Sequence, residues 1–240
     1  MTPSPGVPST TGGPSARGLV VAIDGPSGSG KSTVARGVAR RLSLRYLDTG
    51  AMYRALTCLA LDERVDLEDA DELAALAERA SLELTTDPEH FAVTAAGQDV
   101  TERIRTRAVS NAVSAVSAAT GVRNSLLRLQ RDIIGSGGIV VEGRDIGTVV
   151  VPDAPVKVYL TASSAARAER RFSEIGELAE DAGYGLRLTL EEIDRRDRLD
   201  SSREAAPLQR ADDAVELDST SMSSDDVVDA VLARCSVQSA

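Results

Sequence analysis

One octapeptide, Gly25-Pro26-Ser27-Gly28-Ser29-Gly30-Lys31-Ser32, holds residues whose types and spacing suit a single kind of chemistry, the handling of phosphate. In the order Gly, four residues, Gly, Lys, then Ser or Thr, glycines let the backbone turn where a Cβ would clash. Successive N–H groups can then point at phosphate oxygens from a helix N-terminus. Lys31 would reach the outer phosphates, Ser32 offers a hydroxyl to Mg²⁺, and Thr33 begins the following helix. The ligand implied is a nucleoside triphosphate. A plain Gly/Ser turn is the competing reading. Against it, the apolar run Leu19 to Ile23 supplies a strand just before the loop, and Val34 and Val38 supply an i, i+4 helical stripe just after it.

Three further clusters follow. In Leu47-Asp48-Thr49-Gly50-Ala51-Met52-Tyr53-Arg54, a strand end passes through a glycine turn into a helix. Thr49 can cap that helix, and both it and Arg54 can face an anion; an ordinary capped helix with a surface arginine fits the same residues. In Val140 to Thr148, Glu142 ends a buried strand, where phosphate-loop proteins hold Mg²⁺ or its water. Arg144 and Asp145 follow on a glycine-flanked turn, either paired with each other or forming a site. The third cluster is arginine-dense: Arg167, Arg170 and Arg171, then Arg195, Arg196, Arg198, Asp200 and Arg203. Guanidinium forks match phosphate oxygens and can neutralise a moving phosphoryl group. A solvated face paired with Glu191, Glu192 and Asp194 accounts for Arg195 and Arg198.

The elements that must hold these clusters alternate. Residues 1–16, rich in Pro, Gly, Ser and Thr, read as a disordered tail. From there to residue 240 the pattern is a single domain: a strand at 19–23, a helix at 31–42, an extended piece at 45–47 and a helix from near Ala51. Residues 62–107 change character, with an acidic helix at 71–80 and alternating runs at 81–86 and 91–95, and read as a small mixed insertion. Helical spacing returns over 108–134, followed by strands at 139–141 and 156–160 and a helix at 165–171. A glycine-broken acidic stretch at 174–185 suits a mobile loop. A helix then resumes near Leu190, and a strand at 214–217 and a helix at 224–233 close the chain. This order predicts an α/β fold with a parallel central sheet.

Composition narrows the function. With 27 Lys and Arg against 37 Asp and Glu the net charge is -10, so a broad nucleic-acid footprint is not expected and anionic ligands must be met by local arginines. Aromatics are 2% of residues and Trp is absent, which leaves little for stacking on single strands. Cys58 and Cys235 have no metal-ligand spacing and read as reduced thiols in the cytoplasm. His90, the only histidine, sits in a turn-like segment and is expected to be structural. No run approaches the ~18 apolar residues of a membrane span. A nucleotide-dependent switch is a further possibility, but no Asn-Lys-x-Asp segment of a GTP-specific switch is found.

Over about residues 18–233 the chain resembles the bacterial cytidylate kinase family of nucleoside monophosphate kinases. The stretches that carry the likeness are Ile23 to Gly28, Asp48 to Arg54, Gly143 to Val150, and Arg196-Asp197 through Asp200 and Arg203 to Leu208. The resemblance implies a three-layer P-loop NTPase fold with a monophosphate-binding insertion at about 62–107 and a lid at about 172–187. It implies a monomeric enzyme that moves phosphate from ATP, with Mg²⁺, to CMP or dCMP, without nucleic acid or membrane as partner. Carried over by position, Lys31, Arg144, Arg196 and Arg203 are catalytic, and Gly25 to Thr33 with Arg167 and Arg171 hold ATP. Ser114, Arg123 and Asp145 read the cytosine, Asp200 and Arg196 meet the sugar, and Thr49, Arg54, Arg144 and Arg203 hold the acceptor phosphate. Ser32 and Glu142 are the metal-side residues. Asp145 suits its place, because cytosine's exocyclic amine is a donor and a carboxylate accepts. Another small-molecule kinase sharing the loop is the alternative, separable by a substrate panel.

Overall fold

The computed structural model describes residues 18–176, 185–203 and 205–237. The expected tail at 1–16 and the centre of the expected lid, 177–184, lie outside these. Five strands, β1 (Val20–Asp24), β2 (Arg45–Asp48), β6 (Ile139–Gly143), β7 (Val156–Thr161) and β8 (Val215–Asp218), form one sheet in the order β2-β6-β1-β7-β8. Every pairing is parallel. β1 and β6 are buried at every position, which is why they read as continuous apolar runs rather than alternating ones. Their side chains nonetheless divide by the two-residue period. Val20 and Ala22 join Leu47, Ile139 and Val141 in one core, while Val21 and Ile23 join Tyr46, Val140, Val158 and Leu160 in the other.

Helices cover both faces. α1 (Lys31–Leu42) and α8 (Ser224–Val237) close the second core through Val34, Val38, Val227 and Val231. The first core is closed by α2 (Thr49–Glu63), α3 (Ala70–Arg79), α4 (Arg107–Ala118) and α5 (Thr120–Ile134). Two more helices, α6 (Ser164–Gly176) and α7 (Leu186–Ser201), carry most of the late arginine cluster. Among the described residues no helix is long and apolar enough to cross a membrane.

The segment at 62–107 contains α3 and an antiparallel sheet of β3 (Leu82–Leu84), β4 (Val93–Ala95) and β5 (Gln98–Asp99). It has no separate core: Leu73, Leu76, Leu82, Val93 and Ile104 pack into the same cluster as Met52, Leu56 and Leu126. It also covers the outer edge of β2, where Tyr46 N–H donates to Thr86 O at 2.9 Å.

Two expectations from sequence are corrected. The helical run at 108–134 is two helices, broken at Ala119, which is extended (φ -65°, ψ 119°). The break sets α5 against α3 so closely that a Cβ on Gly121 would lie 2.4 Å from Ala74 Cβ. Helical period reports the apolar face of both helices but not the change of direction between them. The cap of α2 is Asp48, whose Oδ1 accepts from Ala51 N–H at 2.9 Å, and not Thr49, which is the first helical residue.

The sheet turns into the phosphate loop at Gly25, with φ of 151° and a Cβ position 2.0 Å from Leu160 O. Gly25→Ala is therefore expected to destabilise the protein by about 3 kcal/mol, lowering Tm by about 10 °C. A melt within about 2 °C of the parent would show that the loop is slack at this point.

Candidate active site

Because the strands are parallel, the C-terminal ends of β1, β2 and β6 lie along one sheet edge, where open α/β sheets bind ligands. β1 delivers Gly25 to Gly30 onto the N-terminus of α1, β2 delivers Asp48 and Thr49, and β6 delivers Glu142 and Arg144. A cavity of about 360 Å³ opens over this edge. Its walls include Lys31, Ser32 and Thr33 on one side, Arg54, Arg144, Arg196 and Arg203 around the middle, and Arg123 with Asp145.

The donor-side residues are held tightly. Lys31 is buried, its Nζ donating to Pro26 O at 2.7 Å. Burial, with Arg144 adding repulsion, lowers its pKa to about 7. Arg167 is not on the cavity wall; it braces the loop from outside, donating to Ser27 O at 3.1 Å and to Ala162 O at 3.2 Å. Arg171 lines the cavity and donates to Ser110 Oγ on α4 at 3.3 Å.

The cations in the middle crowd one another. Burial first, then neighbouring Arg54 and Arg144, push Arg196 well below its ordinary pKa; burial also lowers Arg54 and Arg203. Asp200 is the shared counter-ion. Burial alone would raise its pKa, yet Arg144, Arg196 and Arg203 hold it below the usual carboxylate value. Arg144 Nε donates to Asp200 at 2.9 Å, Arg203 donates to its other oxygen, and Arg196 Nε lies 3.9 Å away without a hydrogen bond. Lys31 and the arginines on the cavity wall still outnumber Asp48, Glu142, Asp145 and Asp200, which leaves a net cationic pocket in an acidic protein, so a polyanion entering it relieves repulsion.

Arg144 and Asp145 do not pair with each other: Arg144 reaches Asp200, and Asp145 is bonded to Arg123. Burial raises the pKa of Asp145, opposed by Arg123. Thr49 Oγ1 donates to Glu142 O at 2.7 Å. Ser114 lies apart, lining a smaller adjoining cleft between α4 and α7 with Ser110, Asn111 and Thr189.

Several residues that pattern reading left without a role complete the site. Asp24, at the end of β1, accepts from Ile146 N–H at 2.8 Å and Gly147 N–H at 2.7 Å, fixing the turn that carries Arg144 and Asp145. Its place directly before the loop was the available signal. Burial raises its pKa to about 6 against those two hydrogen bonds. Asp48 is registered opposite Glu142 across the β2–β6 pair, and Tyr46 donates its hydroxyl proton to Glu142. Burial and then Asp48 raise Glu142 to about 6. Arg36 lies between the rings of Tyr46 and Phe91, 5.5 Å from each centroid. Nothing in the strand pattern shows which acid faces which.

The donor set suits Mg²⁺. Ser32 and Glu142 line the same cavity, with Asp48 in register beside Glu142, so the ligands on offer are hard oxygens. Among the described residues no cluster of three or more His, Cys, Asp or Glu could hold a metal unaided.

His90 is exposed at 85% of its side chain and pairs with Asp87. His90→Ala is expected to leave kcat and KM within about twofold of the parent. The acid limb of the pH–rate profile is expected instead near pH 6, as Asp24, raised by burial, takes up a proton and loosens its hold on the Ile146 and Gly147 amides. A limb that moved or vanished in His90→Ala would contradict both statements.

Three relatives align with nearly nine-tenths of this chain. The cytidylate kinase of Bacillus licheniformis is 50% identical over 215 residues, 89% of this chain and 94% of its own length. That of Bacillus subtilis is 48% identical over 214 residues, 89% of this chain and 95% of its own. That of Rhodococcus opacus is 51% identical over 215 residues, covering 89% and 93%. The cytidylate kinase family model matches residues 21–236, nearly the whole of the described fold, and with this the chain belongs to the cytidylate kinase family.

Proposed function

We propose that this chain transfers the γ-phosphoryl group of ATP to the phosphate of CMP or dCMP, giving ADP and CDP or dCDP. The observation that carries this reading is the convergence of Arg54, Arg144, Arg196 and Arg203 between a buried phosphate-loop lysine and the Arg123–Asp145 pair. Two polyanions repel, and placing them nose to tail requires this density of fixed cations. The γ-phosphorus–oxygen bond to ADP breaks as an oxygen of the acceptor phosphate forms its own bond, in line. That oxygen is already ionised at neutral pH, so no general base is needed.

In this reading the amides and side chains of Gly25 to Thr33 hold ATP, with Arg171 facing its phosphates and Arg167 bracing the loop. Thr49, Arg54, Arg144 and Arg203 hold the acceptor phosphate, and Arg196 with Asp200 meets the sugar. Arg123 donates to the O2 or N3 of cytosine while Asp145 accepts from the amine; Ser114 approaches the base from the adjoining cleft. Ser32 and Glu142 would hold Mg²⁺, which when bound supplies positive charge to the β- and γ-phosphates. The enzyme works as a cytoplasmic monomer on free nucleotides.

The test is ADP release from ATP in a panel of monophosphates. CMP and dCMP are expected to stimulate it, whereas AMP and shikimate are not. Turnover unaffected by CMP would overturn the reading.

A further inference from the structure

Asp197 has no part in the substrate contacts above, yet it touches the phosphate loop. Ser27 N–H donates to its Oδ1 at 3.3 Å, and Arg167 donates to its Oδ2. Arg167 is itself fixed by Ser27 O, Ala162 O and Ser164 Oγ. Its backbone meets the loop as well, since a Cβ on Gly28 would lie 2.7 Å from Arg167 O. The Asp197 side chain is 18% exposed, so this carboxylate sits largely out of water on the amide of Ser27, a loop residue that lines the cavity.

A second tie joins the same helix to the same loop. Asp200, one turn further along α7, accepts from Arg144 Nε at 2.9 Å, and Arg144 Nη1 donates to Gly25 O at 2.8 Å. α7 thus grips the loop on both sides of Pro26, while presenting Arg196 and Asp200 to the cavity. An acceptor phosphate on Arg144 and Arg203 competes with Asp200 for their N–H groups, which loosens one tie. A triphosphate competes with Asp197 for the Ser27 amide and is repelled by its charge, which already reaches Lys31.

We propose that Asp197 is a positioning residue that couples the two substrate subsites: its carboxylate occupies the Ser27 amide as an internal competitor of the triphosphate, and acceptor binding on α7 releases it. This rests on the assignment of donor and acceptor sides made above. Coupling of this kind is reciprocal: each substrate raises the affinity of the other by the same factor, here about tenfold.

The measurement is titration calorimetry of the full chain with Mg²⁺ and a non-hydrolysable ATP analogue, with and without CMP. In the parent, CMP is expected to tighten the analogue about tenfold, and the analogue to tighten CMP equally. Asp197→Asn keeps the volume and an oxygen for Ser27 N–H but removes the competing charge. It is expected to bind the analogue alone about fivefold more tightly, with the CMP effect reduced to less than about twofold and kcat lowered. A merely structural role would weaken both ligands together with Tm, and that result overturns the proposal. So does a parent in which CMP and the analogue bind without influencing each other, a finding that needs no variant. A parent that neither binds CMP nor turns over with it overturns the functional reading first and this inference with it.

Discussion

Lys31→Ala is expected to lower kcat by about 10³-fold while leaving the protein at least as stable as the parent at pH 7. Both halves follow from burial. The ammonium is buried beside Arg144 and Arg196, and there a fixed charge aimed at the developing phosphoryl charge is worth far more than in solvent. The same burial makes the charge unfavourable in the free protein, lowering its pKa from 10.5 to about 7.

Between those two values the folded protein holds fewer protons than the unfolded chain, so this group makes stability rise with pH. Below about pH 7 its full penalty is present. Alanine removes the penalty and the slope together. The stability advantage of the variant should therefore be largest near pH 7 and shrink by pH 9.5. Triphosphate oxygens restore the pKa, so at pH 8 the parent should take up protons on binding nucleotide, seen as a dependence of binding heat on buffer ionisation enthalpy. Turnover within tenfold of the parent would remove Lys31 from the reaction.

Asp145→Ala is expected to reduce the preference for CMP over UMP by roughly 10²-fold. Cytosine offers an amine where uracil offers a carbonyl, and a carboxylate held by Arg123 accepts from the first and repels the second. The variant also strands the buried Arg123, which should cost about 3 kcal/mol of stability. The preference is a ratio measured on one preparation, so loss of folded protein cancels from it. An unaltered ratio would move base recognition to Arg123 or to the Ser114 cleft.

Local pattern made much of the frame legible. α1 occupies the 31–42 expected from the loop and the Val34, Val38 stripe, and β1 and β6 follow their apolar runs to within a residue or two. These elements are fixed by interactions within a few residues or by burial on both faces, and both leave a periodic trace. The break at Ala119 was illegible because two helices packed on one core share one apolar period.

What the sequence alone determined is therefore chemical inventory and order: a phosphate loop, an acid ending β6 and arginines late in an acidic chain. Tertiary structure decided the pairing. Arg144 with Asp200 spans 56 residues, Arg123 with Asp145 spans 22, and Asp197 with Ser27 spans 170. Charge acts through space, and in a low-dielectric cavity the partner a side chain meets sets its protonation and its role. Periodicity carries no record of that distance, which is why Asp24 and Asp197 gained their places only when the sheet edge brought the loop, the turn at 143–147 and α7 together.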